Sequence, residues 1–315
     1  MPARVATLHR SRMSAETVDG PVGLTLPPKA NTAQWAVGDW VMINPESHLL
    51  VRTLERRTLL QRRTEGGHGH QLIAANIDTL FVATSCNEDL NVARLERYLA
   101  VANEAGIHSV IVLTKADTVA DVASYRAQVE GLQRGLDVVG VNGTSDAARD
   151  ALAPWCGPGM TVALVGSSGV GKSTLLNTLA HKTEDDAQLT GAIREDDAKG
   201  RHTTTSRSLH AIPGGGQIID TPGIRTLHIS DISVGLDMLF AELAELVPDC
   251  RFRNCTHVHE PGCAVLAAVN EGRVDAARFD RWQKLHEENR ANTPVETGAR
   301  GNRVVKPAPS DRRRR

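Results

Sequence analysis

Short apolar runs rich in β-branched or large side chains open the chain, at residues 5–8, 22–26, 40–43 and 49–54. Turn clusters at Asp19-Gly20, Pro27-Pro28 and Gly38-Asp39 separate them. Several short strands in so short a segment predict a small β-barrel. Residues 61–71, rich in Gly, Arg and His, read as a flexible linker. From Asp78 the pattern changes. Residues 79–84 form a continuous apolar strand, and 90–104 carry Leu95, Tyr98, Leu99 and Ala102 at helical spacing. Strands at 109–113, 138–141 and 161–165 then alternate with helices near 119–132, at 146–152 and from Lys172 onward. Continuous rather than alternating apolar strands, interleaved with helices, predict a parallel sheet covered on both faces. After about residue 235 the chain turns helical around a Cys/His cluster, and it ends in a polar tail.

Composition narrows the class. The 315 residues are 41% hydrophobic and 23% charged, which is globular. No apolar run is long enough to span a membrane, and the N-terminus lacks the apolar core of a secretory signal. Five cysteines, three of them within fourteen residues, argue for metal or free thiols in a reducing cytosol. The net charge of −1 is uneven: residues 298–315 hold seven basic and one acidic residue, so the rest carries −7. An acidic body with a basic tail allows one local polyanion contact. Aromatics at 3% do not suggest broad stacking platforms for single-stranded nucleic acid.

Three elements carry nucleotide chemistry. Gly166-Ser167-Ser168-Gly169-Val170-Gly171-Lys172-Ser173-Thr174 follows a strand and opens a helix, as the G-x-x-x-x-G-K-S phosphate loop requires. Its glycines let backbone N–H groups wrap a phosphate, and the helix N-terminus adds positive potential. Lys172 would reach the β- and γ-phosphates, and Ser173 would ligate Mg²⁺. Asp220-Thr221-Pro222-Gly223 ends an apolar stretch and reads as the second element: Asp220 would hold Mg²⁺ through water, and the Gly223 N–H would sense the γ-phosphate. Between the two lies Gly200-Arg201-His202-Thr203-Thr204-Thr205, where one threonine can ligate Mg²⁺ only while γ-phosphate is present. Thr204 is favoured, with either neighbour open. Thr114-Lys115-Ala116-Asp117 matches the guanine-selecting N-K-x-D element, except that Thr114 stands for Asn. The Asp117 carboxylate would accept from guanine N1–H and the exocyclic amine, a donor pair that adenine lacks. Asn142-Gly143-Thr144 is placed for a backbone contact to the base. The base-selecting element thus precedes the phosphate loop, the reverse of the usual order, as if one sheet had been cut and rejoined elsewhere.

Cys250, Cys255, His257 and Cys263 supply three thiolates and an imidazole, a set suited to a closed, structural, tetrahedral Zn²⁺ site. His259 is a spare ligand or a surface residue.

Together, T-K-A-D before the phosphate loop, G-R-H-T-T-T before D-T-P-G, and C-x4-C-x-H-x5-C resemble the ribosome small-subunit-dependent GTPase A family of circularly permuted bacterial GTPases. Further wording fits: Val37-Gly38-Asp39-Trp40-Val41, Ala74-Ala75-Asn76-Ile77-Asp78, and Glu260-Pro261-Gly262-Cys263. The resemblance covers about residues 4–290. It implies an OB-fold β-barrel that binds RNA (1–75), a circularly permuted P-loop GTPase domain with a mostly parallel sheet (76–235) and a C-terminal helical zinc-binding domain (236–297). The basic tail (298–315) is expected to be disordered. It also implies GTP hydrolysis to GDP and phosphate, stimulated by the small ribosomal subunit late in its maturation, with contacts to its rRNA. A cytoplasmic monomer without membrane contact is expected.

Many GTPases place a water-orienting Gln directly after D-x-x-G; here that position is Ile224. An aliphatic side chain cannot align water, so slow intrinsic hydrolysis is expected. The missing group must come from the switch loop, where His202 is the nearest polar candidate, or from the ribosome. Two other classes compete with this reading: a nucleotide-dependent binding module with little catalysis, and an ATP-using P-loop enzyme, against which Asp117 argues.

Overall fold

The N-terminal runs bury alternate side chains, and that alternation rolls them into a barrel. The computed structural model describes residues 1–9, 12–63, 69–181, 207–221 and 229–293, together with the backbone of 296–297 and 303–304. Strands β1 (Pro2–Leu8), β2 (Met13–Thr17), β3 (Gly20–Leu24), β4 (Trp40–Ile43) and β5 (Leu50–Thr53) pair antiparallel as β3-β2-β1-β4-β5. A parallel bridge between Thr25 and Leu49 joins the two ends, and backbone bonds from Thr25 and Leu50 reinforce it. Closure removes the open sheet edges. Ala3, Val5, Met13, Ala15, Val41, Ile43 and Leu50 point inward around Trp35.

The expected linker at 61–71 is largely strand. β6 (Leu59–Arg63) and β7 (His70–Ala75) form an antiparallel hairpin, and only its turn lies outside the described residues. Buried Leu60, Ile73, Ala74 and Ala75 hold the hairpin down, while its Arg and His side chains gave the segment its linker-like composition. The turn at Gly38 (φ +91°) presses so closely on this hairpin that a Cβ would collide with the Ala75 carbonyl oxygen, so only glycine fits. Asp39, fully buried, accepts two 2.7 Å bonds from Arg56 beside it.

The second sheet is ordered β10 (Asp137–Gly140), β9 (His108–Thr114), β8 (Thr79–Ser85), β11 (Thr161–Gly166), β13 (Gly216–Asp220), β12 (Ser208–Ile212). The first five strands are parallel, and β12 is antiparallel. The apolar runs are continuous because successive side chains feed two cores. Leu80, Val82, Ile111, Leu113, Ala163 and Val165 face one layer, whereas Phe81, Val110, Val112, Val162 and Leu164 face the other. Helices α1 (Val92–Glu104) and α2 (Val122–Glu130) cover the first face, and α3 (Ala147–Leu152) and α4 (Lys172–Leu179) the second. Asn91 and Asp121 cap α1 and α2 by accepting N–H bonds. β12 also meets the barrel, where Thr7 pairs with Ser208, so the hydrogen-bonded sheet runs from one module into the next. Arg4 ties the same junction: buried in the barrel, it donates to the carbonyls of Gly38 and Asn76 and to Gln217 on β13.

Past residue 228 come α5 (Ser233–Leu239), α6 (Ala241–Ala244), α7 (Ala264–Asn270) and α8 (Ala276–Asn292). They pack on α1 within the same core as the first face of the sheet. Gly235 lies so close to α1 that a Cβ would collide with the Ala100 carbonyl oxygen. Arg278 of α8 locks the layers. It donates to Glu96 of α1 at 2.7 Å, to Glu242 at 2.9 Å, and to the carbonyls of Leu132 and Leu239, both at 2.8 Å. Among the described residues, no helix is long and apolar enough to cross a membrane.

Candidate functional site

Every described nucleotide element ends up along one edge of the second sheet, at the carboxyl ends of parallel strands, where α/β folds bind ligands. Thr114-Lys115-Ala116-Asp117 leaves β9, the phosphate loop leaves β11, Asp220 ends β13, and Asn142-Gly143-Thr144 follows β10. β8 alone separates the base-selecting strand from the phosphate-loop strand.

The phosphate loop needs its glycines. Gly166, Gly169 and Gly171 have φ of +141°, +80° and +89°, and a Cβ at Gly166 would collide with the Ala83 carbonyl oxygen. Val170 is buried under the loop, whereas Ser168 and Gly169 are exposed, which leaves the loop's outer rim open to a ligand. Lys172, the first residue of α4, folds over the loop and donates to the carbonyls of Gly166 and Ser167. Leu175, Leu176 and Leu179 anchor α4 in the core, so Ser173 and Thr174 stay exposed at its start.

Thr114, which stands where the base-selecting element usually has Asn, ties that element to the phosphate loop. It is buried at the end of β9, and its hydroxyl lies 2.6 Å from the Val170 carbonyl oxygen and 3.2 Å from that of Thr84. A hydroxyl donates one proton, and the shorter contact is to the phosphate loop. Lys115 adopts a left-handed conformation (φ +56°) that turns the chain sharply, leaving Ala116 half-buried and Asp117 exposed at the rim. The Thr118 hydroxyl and N–H both bond the Lys115 carbonyl and hold that turn. On the far side of the expected base, the Thr178 hydroxyl of α4 donates to the Gly143 carbonyl at 2.6 Å, and Asn142 accepts from the N–H and hydroxyl of Thr144. Replacing Thr114 by Val keeps the shape and removes the tie. Such a change leaves one buried carbonyl unpaired, about 1–3 kcal/mol. The T114V protein is expected to bind GDP about 5- to 100-fold more weakly in a fluorescent-nucleotide titration.

Asp220 is buried and in register with Leu164, two residues before the loop begins. Thr221, also buried, donates its hydroxyl to the Leu164 carbonyl and so holds the chain against β11 one residue beyond the ladder. In the sequence Thr221 is only the link between Asp220 and Pro222, and no local pattern marks this role. His202, Thr204 and Gly223, with Ile224, lie outside the described residues.

The second site stands apart, between α6 and α7. The donor atoms of Cys250, Cys255, His257 and Cys263 all lie within 4.8 Å of one another. His257 Nδ1 is 3.6 Å from Cys250 Sγ and 3.4 Å from Cys263 Sγ, and those two sulfurs are 3.9 Å apart. Tetrahedral zinc would separate two sulfurs by about 3.8 Å and sulfur from nitrogen by about 3.6 Å. The residues fit a Zn²⁺ ion. Burial pushes the Cys255 thiol up to about 11 and holds the His257 imidazole below its usual value. A lowered imidazole pKa favours the neutral form that ligates a metal, and zinc takes cysteine as the thiolate, so binding would release protons. His259 is exposed and is not among the grouped donors. Glu260, to which the sequence pattern alone assigns no role, knots the loop: it accepts from the Thr256 hydroxyl and from the N–H groups of Thr256, Val258 and His259. These bonds hold its carboxyl well below the usual carboxylate range, those from Thr256 contributing most. Elemental analysis is expected to find one zinc per chain, falling to none in C255S and C263S; the variants are expected to lose helix α7 to proteolysis before the sheet.

A phosphate loop, a magnesium-type aspartate and a guanine-type aspartate on one sheet edge, with the base element first in the chain, define a circularly permuted P-loop GTPase. The sequence model of the RsgA GTPase family matches residues 53–230. The small ribosomal subunit biogenesis GTPase RsgA of Mesorhizobium japonicum is 60% identical over 301 residues, 96% of this chain and 87% of that protein. Its namesake from Streptomyces coelicolor is 42% identical over 298 residues, 92% of this chain and 80% of that protein. The chain belongs to the RsgA GTPase family. Among solved structures, YjeQ from Thermotoga maritima superposes with a TM-score of 0.66 at 25% identity, covering 91% of this chain and 97% of that one. YloQ, described as a circularly permuted GTPase, shares the fold with a TM-score of 0.62 at 22% identity, over 94% of this chain and 96% of that one.

Proposed function

We propose that this chain is a GTPase of small ribosomal subunit biogenesis, which binds the subunit late in its maturation and hydrolyses GTP to GDP and phosphate. The reading is carried by the shared sheet edge. Asp117 and the phosphate loop lie one strand apart, and Thr114 from the first bonds Val170 of the second. Base recognition and phosphate geometry are therefore coupled through one buried hydroxyl.

In this reading Asp117 accepts from guanine N1–H and the exocyclic amine, with Lys115 and Ala116 shaping the turn. The N–H groups from Gly166 to Thr174 cradle the phosphates, and the Lys172 ammonium exchanges its two loop carbonyls for phosphate oxygens. Magnesium, when bound with the nucleotide, draws charge off the β–γ bridge. Ser173 and Thr204 would hold it directly, and Asp220 through water. Gly223 senses the γ-phosphate. Ile224 offers nothing to orient water, so His202 or a group from the subunit completes the site, and turnover in isolation is slow.

Residues 1–75 act as the RNA-contacting barrel, 76–235 as the motor and 236–297 as the zinc-bearing arm, with 298–315 as a basic tail. The protein works in the cytoplasm as a monomer. Hydrogen bonds support a link from motor to arm. Asn289 and Asn292 of α8 bond the Ile232 N–H and the Ile229 carbonyl, and the Asp231 N–H bonds Thr293, all just beyond the D-x-x-G element. Competition against a labelled guanine nucleotide tests the base assignment. Unlabelled GTP and GDP are expected to displace it at micromolar levels while ATP fails at millimolar levels; equal displacement by ATP would remove the reading.

A further inference from the structure

The chain has ten aromatic rings, and two of them, Trp40 and Phe252, are exposed, each at 40%. Each has an arginine guanidinium over its ring, Arg4 at 5.3 Å and Arg251 at 5.5 Å. The two arginines differ in what they can still do. Arg4 is buried and spends its donors on Gly38, Asn76 and Gln217. Arg251 is exposed, as is Arg253 on the other side of Phe252, and neither forms an ion pair among the described residues.

The loop that carries Phe252 is held in shape. Cys250 and Cys255 bracket it within the grouped thiols, and the Cys255 N–H bonds the Phe252 carbonyl at 3.1 Å. Gly262 has no side chain where the Arg251 stem passes; a Cβ there would lie 3.0 Å from Arg251 Cβ. The nearby carboxylate of Glu260 is turned onto the loop's own N–H groups. The loop therefore presents two exposed arginines and an exposed ring.

We propose that Arg251-Phe252-Arg253 is a platform for one unpaired RNA nucleotide: the base stacks on Phe252, and the two guanidiniums hold the flanking phosphates. This rests on the reading that the chain binds the small ribosomal subunit. Unpaired bases are the usual target of stacking side chains in RNA recognition, and arginine supplies the phosphate contact. The low aromatic content argues against broad stacking surfaces; a single ring flanked by two exposed arginines needs no such surface.

The test uses the full-length, zinc-loaded protein with three ligands: a labelled single-stranded uridine decamer, naked small-subunit rRNA, and intact small subunits. F252A and F252L are expected to weaken decamer and rRNA binding about 5- to 100-fold without changing the dependence on salt. R251A/R253A is expected to flatten the log–log salt slope by about 1.4, two single-strand phosphates. F252W is expected to bind as the parent does. Zinc content and GTP turnover without subunits are expected to stay unchanged in all four. Wild-type affinity in F252L would overturn stacking, because leucine keeps the apolar bulk and loses the ring. Weakened binding to subunits with intact binding to naked rRNA would assign the loop to a ribosomal protein instead, and would also overturn it. A parent protein that binds neither rRNA nor subunits would sink the underlying functional reading, whatever the variants do.

Discussion

Replacing Asp117 by Asn is expected to lower GTP affinity about 1,000-fold or more and to create affinity for xanthosine triphosphate. A carboxylate presents two acceptors to the two guanine donors. An amide presents one acceptor and one donor, so its donor meets the guanine amine head-on. Sites built on such hydrogen bonds reject a mismatched partner by about 10⁴–10⁵. Asp117 is exposed in this structure, so part of that cost is relieved by water, which lowers the expected factor. Xanthine carries an oxygen where guanine carries the amine, and that oxygen accepts from the new amide. Competition titrations of D117N with GTP, XTP and ATP check this directly. A D117N protein that still prefers GTP would place base selection elsewhere, with the loop at Asn142-Gly143-Thr144 the next candidate. Stability should not move, because Asp117 is exposed and the turn is held by Thr118.

The second large effect falls on the fold. Arg278→Ala is expected to destabilise the chain by about 3–5 kcal/mol, the usual cost of breaking a buried ion pair from one side. Glu96 is fully buried and accepts from Arg278 at 2.7 Å and from Arg281 at 2.9 Å. Removing Arg278 leaves Arg281 to hold that carboxylate alone. It also strips the carbonyls of Leu132 and Leu239 of their donor, and it removes a guanidinium lying 4.1 Å over the Phe240 ring. In a thermal melt this is about 10 °C for a chain of this size. Arg278→Met, which keeps the stem, should recover only the packing share. Because α8 also meets the segment beyond the D-x-x-G element, R278A is further expected to weaken the response to small subunits at temperatures where it is still folded.

The parallel strands could be read from the sequence because they are buried on both faces, which gives apolar runs without alternation. The phosphate loop and the Cys/His set were readable because their chemistry fixes both residue type and spacing. What stayed hidden depends on partners far apart in the chain. Glu96 and Arg278 are 182 residues apart, and Arg4 and Gln217 are 213 apart, so no local pattern announces either contact. β12 shows no apolar run in the sequence, because Ser208 and His210 interrupt its two buried positions, Leu209 and Ile212. The β6–β7 hairpin has the composition of a linker because its polar residues cluster at the turn while the residues that anchor it lie toward the ends. Thr114 departs from the Asn usual in the base-selecting element, and only the position of the Val170 carbonyl shows what its hydroxyl can do.

In the proposed function the small ribosomal subunit completes the catalytic site. GTP turnover by the purified, zinc-loaded protein, measured with and without added small subunits, tests it most directly. Slow turnover alone and a large, saturable stimulation by small subunits, with no such response to large ones, are expected. Normal GTP binding with no stimulation would contradict it and leave a nucleotide-controlled binding switch in place of a subunit-activated hydrolase.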